Sequence, residues 1–109
     1  MLDIEKMIGL VKEKFLPVAE NEVADLAQGA WSDAETFVKD SRDDLTLWTD
    51  QLAKGEMSAG GLALAVRGRA AVLQMKALAD AGIAQVKTDR LKEALVGSIV
   101  STVRDTLRA

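Results

Sequence analysis

Two pairs of carboxylates are the residues of this 109-residue chain whose types and spacing could do chemistry. Glu22 and Asp25 stand three apart, and so do Asp40 and Asp43. Residues three apart share a face of a helix, so each pair could offer oxygen ligands to a hard cation such as Mg²⁺. Little else is available. The chain has no His, no Cys and no Tyr. That removes Ser-His-Asp triads, zinc sites of the usual kind and the Glu-x-x-His ligands of helical di-iron bundles. What remains is carboxylate and lysine chemistry.

The two acidic pairs resemble the paired acidic motifs of the all-α nucleotide pyrophosphohydrolases of the MazG type. The resemblance covers those four positions alone and departs from the family's glutamates at three of them, Asp25, Asp40 and Asp43. It would imply a Mg²⁺-dependent all-α hydrolase. Against it, 28% of the residues are charged, and pairs of this kind arise easily in such a composition. The preferred reading of these pairs, and of the run "DSRDD", is a solvated acidic face. On that reading the chain is not an enzyme and needs no metal or cofactor.

The elements that would position these residues are helices. The apolar fraction is 49% but the aromatic fraction only 4%, much of the rest being alanine, which favours helix. No alternating run bounded by turn pairs suggests a strand. In the first half the largest apolar side chains recur every eleven residues: Ile4, Phe15, Leu26, Phe37, Trp48. Interleaved registers add Ile8, Ala19, Ala30 and Leu52, then Val23, Ala34 and Leu45, with Ser41 the one polar intruder. Eleven residues are three helical turns, so the pattern stays on one face of a nearly straight helix. Pro17 would kink that helix. The segment "QGAWSDAE" could interrupt it, with Gly29 as a stop and Ser32 and Glu35 as a capping box. The stripe keeps phase across both points, which favours a helix kinked at Pro17 and continuous through Gly29.

"LAKGEMS" is the clear stop. Gly55 suits the left-handed position after a helix and Ser58 the cap of the next. Beyond it two stripes lie on roughly opposite sides of a helix. One runs Leu62, Val66, Ala70, Leu73, Ala77, and the other Leu64, Gly68, Ala71, Met75, Leu78. A last stripe runs Leu91, Leu95, Ile99, Val103, Leu107, with Arg104 and Arg108 favouring a helix C-terminus.

These readings predict a single all-α domain over residues 1–109: a long antiparallel hairpin turning near Gly55, elongated beyond the roughly 13 Å radius of gyration of a compact chain this size. Phe15, Leu26, Phe37 and Trp48 would form its core seam, while Trp31, off the main register, would be partly exposed or face a partner. The alternative is a four-helix bundle hinged near Gly29 and Gly82. In the hairpin Leu64, Gly68, Ala71, Met75 and Leu78 point away from the first arm, and an exposed apolar strip marks an interaction site. The expected partner is a second copy of the chain, or another protein, in a scaffold, adaptor or small assembly.

Charge is split unevenly. Residues 1–55 carry 12 acids and 6 bases, residues 56–109 carry 5 and 8, and the net charge is −3. The basic half is too weakly charged to argue for nucleic acid. The longest uncharged run of the second half, Ala94–Val103, is ten residues, against about 20 for a membrane span. Small residues four apart there, Ala94, Ser98 and Thr102, permit close helix pairing. Eleven-residue amphipathic patterns also occur in helices that lie on membranes, so a membrane-surface protein is the second functional reading. The N-terminus has acids where an export signal needs a basic region, which leaves the cytoplasm as the expected compartment.

Overall fold

In the computed structural model, which describes residues 2–108, the chain is all-α and runs up, down, up and down in four columns. The first column is α1, Ile4–Val23. Asp3 caps it, its Oδ1 accepting from the Lys6 amide at 3.2 Å. Met7, Val11, Phe15 and Ala19 form the buried stripe, one turn apart. Pro17 lies inside α1 on its exposed side, and the helix continues through it. There the proline's missing donor frees a carbonyl that water can reach.

The chain then reverses over Ala24–Leu26, a single 3₁₀ turn. Ala24 takes φ 47° and ψ −113°, a conformation that only glycine adopts cheaply. The second column is α2, Ala27–Asp40, continued by α3, Arg42–Ala53. Between them the Ser41 amide is shared by the carbonyls of Phe37 and Val38 at 3.0 and 3.2 Å, while Leu45 N–H returns to Ser41 O at 2.8 Å. The hydrogen-bond ladder is thus pinched rather than cut.

The expected long first arm is therefore folded in two. An unbroken arm would span roughly 80 Å at 1.5 Å per residue, whereas the longest dimension is 43 Å and the radius of gyration 13.6 Å. The bundle is the architecture present. Its first reversal comes at Ala24–Leu26 rather than Gly29, and Gly29 lies within α2. Gly29 serves close packing instead: a Cβ there would stand 2.8 Å from Ala77 Cβ of α5. Ser32 and Glu35 lie within α2 as well and cap nothing.

The turn at Gly55 is where it is expected. Gly55 has φ 75°, and Glu56 N–H bonds to Gln51 O at 2.8 Å while Gly55 N–H bonds to Leu52 O at 3.2 Å, a Schellman ending. Ser58 Oγ then accepts from Gly61 N–H at 3.0 Å and opens α4, Ala59–Ala70. The third column breaks over residues 71–75 before the short α5, Lys76–Asp80. Gly82, φ 73°, ends α5 with the same pair of bonds, Ile83 to Leu78 and Gly82 to Ala79, both 3.0 Å. The last column is α6, Gln85–Arg108.

Each column packs on its neighbours in the ring: α1 on α2 and α6, α6 on α4, α4 on α3, and α5 on α2. The core centres on Phe15, which meets Trp31 at a ring-centroid distance of 6.1 Å, tilted by 43°. Leu91, Leu95, Ile99 and Val103 of α6 are fully buried against it. Trp31 is only 4% exposed, so it belongs to the core and not to a partner-facing surface. It lies one residue after Ala30 of the stripe, and the tight reversal wraps that side of α2 around Phe15.

Candidate functional site

The core-seam residues divide. Phe15 and Phe37 are buried, whereas Leu26 and Trp48 are partly buried and pack against the core from its margin. The strip assigned to an interface divides as well. Leu64 is 69% exposed, and Gly68 and Ala71 are exposed beside it. Met75 and Leu78 are 2% and 0% exposed, inside the chain's own core. The break over residues 71–75 is the reason. It lets the far end of the strip turn inwards, so Met75 and Leu78 cannot face a partner.

The acidic pairs are not brought together. Glu22 precedes α2 and Asp43 follows it, and that helix alone separates them by roughly 20 Å. Glu22 meets Arg90 at 3.6 Å, and the Asp40 carbonyl accepts from Arg69 Nη2 at 3.0 Å. Among the described residues no group of three or more carboxylates is assembled that could hold a metal ion. No described helix is long and apolar enough to cross a membrane.

What the fold does assemble is a surface around α4. This helix carries apolar residues on two sides: Leu62, Val66 and Ala70 are buried, while Leu64 and Gly68 face out, with Ala71 exposed just past its end and Arg67 on the flank. Beside the outward strip, α4 and α6 bound a groove. One end, about 300 Å³, has a floor of Ala63, Val96, Gly97 and Val100 and a rim that includes Arg67, Glu93, Arg104, Asp105 and Arg108. A further hollow of about 320 Å³ continues it towards Asp89 and Lys92. Gly97 is exposed, and a Cβ there would meet nothing within 4 Å, so the floor is open to solvent at that point.

The rim is ordered by ion pairs. Arg67 holds Glu93 through two bonds, Nε to Oε1 at 2.9 Å and Nη2 to Oε2 at 3.2 Å. That grip draws the Glu93 carboxyl below its usual range and raises the Arg67 guanidinium. Lys14 of α1 reaches over to donate to Ser101 Oγ at 3.0 Å and to Asp105 Oδ2 at 2.9 Å. The Lys14 hydrogen bond and charge likewise lower Asp105. Arg108 sits 3.9 Å from the same carboxylate, and Arg104 has no ion-pair partner among the described residues. Three cations thus gather around one acid at this end. The second half's excess of bases was the only trace of this in the sequence, where Arg104 and Arg108 read simply as residues suiting a helix end.

A second feature without a sequence signature is the socket that holds α4 to α2 and α3. Arg69 Nε donates to Ser41 Oγ at 2.6 Å, Nη1 to Asp44 Oδ2 at 2.8 Å and Nη2 to Asp40 O at 3.0 Å. It explains why a serine stands on an otherwise apolar stripe: Ser41 is 1% exposed and its hydroxyl meets the arginine. The socket is structural: it ties α4 to α2 and α3. No family model, no curated protein and no solved structure matches this chain.

Proposed function

We propose that this protein is a non-enzymatic helical bundle that acts through protein–protein contact, with the outward side of α4 and the adjoining groove as its contact surface and self-association as its main mode. The observation that carries the reading is Leu64, a leucine 69% exposed at the centre of a helix, with Gly60 and Gly68 one turn to either side and Arg67 on one flank. Solvent-facing helix positions are ordinarily charged. Here glycine and alanine leave the backbone open to close approach, and an apolar strip rimmed by polar groups is the usual form of a contact site. Placement in the cytoplasm accords with this reading.

The test is a Leu64→Glu substitution, read by light scattering and helical circular dichroism. The reading expects a lighter particle with unchanged helicity, since Leu64 contributes little to the monomer's own core. An unchanged particle mass overturns it. A membrane-surface protein, the second reading, would instead co-sediment with anionic vesicles through the same strip; the acidic net charge of −3 disfavours it.

A further inference from the structure

We infer that the groove between α4 and α6 receives the outer face of α3 from a second copy of this chain, with Leu47 as the inserted side chain. The inference rests on the contact reading above and names its occupant. Leu47 is 53% exposed on α3 and is not among the described residues packed against the core. Asp43 and Asp50 are also exposed, and at 100° per residue all three fall within about 60° of one another on the helix. The face therefore reads acid, leucine, acid, with Lys54 at its far end, 3.8 Å from Asp50.

The groove is the complement of that face. Its floor of Ala63, Val96, Gly97 and Val100 is apolar, which gives a leucine somewhere to seat. One end gathers Lys14, Arg104 and Arg108 around the carboxylate of Asp105, which among the described residues leaves an excess of positive charge. The other end carries Glu93, which Arg67 of the same copy already holds. Spacing agrees as well as sign. Eleven residues separate Asp43 from Lys54 on α3, and eleven separate Glu93 from Arg104 on α6, about 16 Å in each helix. Laid antiparallel to α6, the α3 of a second copy sets Asp43 beside Arg104 and Lys54 near Glu93. Leu47 then lies over Val100, and Asp50 over the exposed Gly97. The acidic first half of one copy is thereby matched to the basic second half of another.

The two surfaces differ, so the contact is head-to-tail. It closes into a ring or extends as an open chain, and it does not stop at a symmetric pair by default. The experiment uses one variant for each surface. Arg104→Glu spoils the groove and leaves α3 intact; Leu47→Glu spoils the knob and leaves the groove intact. Both residues are exposed, and circular dichroism checks that each variant is folded; Gly97→Gln, which sets a side chain on the groove floor, replaces Arg104→Glu if that variant unfolds. By sedimentation, each variant alone is expected to associate at least about tenfold more weakly than wild type. An equimolar mixture is expected to recover a two-chain complex, because one partner supplies a sound knob and the other a sound groove. High salt should weaken wild-type assembly. If Leu64→Glu lightens the particle but Leu47→Glu does not, the α4 surface stands and α3 is not its occupant. If the mixture remains a pair of monomers, head-to-tail pairing is overturned.

Discussion

Replacing Gly29 by alanine tests how tightly the third column is pressed onto the second. Ordinarily, alanine for glycine inside a helix gains about 1 kcal/mol. At Gly29 the new Cβ would fall 2.8 Å from Ala77 Cβ, well inside the ~3.5–4.0 Å of normal carbon contact. Neither atom is the end of a flexible chain, so α5 must move by roughly 1 Å. Overpacking of this kind costs about 1–3 kcal/mol. The same movement strains the bond in which Asp33 Oδ2 accepts from the Ala77 amide at 3.0 Å, worth about 1 kcal/mol. The net expectation is a destabilisation of about 1–3 kcal/mol once the helix-propensity gain is subtracted. Gly9, in α1, is the internal control, because a Cβ there meets nothing within 4 Å. Gly9→Ala should stabilise by up to about 1 kcal/mol. Urea unfolding followed by circular dichroism should move the two midpoints in opposite directions, with the slope unchanged. Adding Ala77→Gly to Gly29→Ala should restore much of the loss. If Gly29→Ala stabilises as Gly9→Ala does, α5 does not sit against α2 as described.

Ala24→Gly should raise the melting temperature, corresponding to about 1 kcal/mol, because glycine accepts the φ of 47° at the first reversal; a loss of stability would place the reversal elsewhere. Arg69→Met removes three hydrogen bonds and strands the buried Ser41 hydroxyl. It should cost about 1–3 kcal/mol, trimmed by the partial exposure of the arginine. A change within about 0.5 kcal/mol, the size usual for plain surface substitutions, would remove the socket from the account. Glu93 and Asp105 titrate below the usual carboxylate range in the folded chain. Their contribution is therefore present above that range and is lost as pH falls through the depressed values. Thermal melts on the acid side should fall less steeply for Glu93→Gln with Asp105→Asn than for wild type, and identical profiles would show that the rim pairs contribute nothing.

The sequence announces some of this architecture and hides the rest for identifiable reasons. Gly55 and Ser58 carry their own turn chemistry, and Leu91, Leu95, Ile99 and Val103 keep a helical spacing, so the middle turn and the last column are legible. The reversal at Ala24–Leu26 is not. It contains no glycine, proline or asparagine, although Ala24 leaves helical geometry, and Phe15, Ala19, Ala30 and Ala34 keep their spacing across it. Periodicity reports which face is buried, and in an antiparallel pair both helices bury the face that continues the count. The break over residues 71–75 is equally silent, and it decides that Met75 and Leu78 turn inwards while Leu64 does not. The groove is less legible still. Ala63 and Val100 meet only when α4 and α6 pack side by side, and neither helix alone shows a concave surface. Ser41 stood out as a polar intruder, yet its arginine lies 28 residues away.

The central claim, that this bundle works by contact with copies of itself, is tested most directly by sedimentation of the wild-type chain across a concentration series into the tens of micromolar. The account predicts a mass above the 11.7 kDa of one chain that climbs with concentration and falls back in high salt. A mass of 11.7 kDa that holds at every concentration would contradict it.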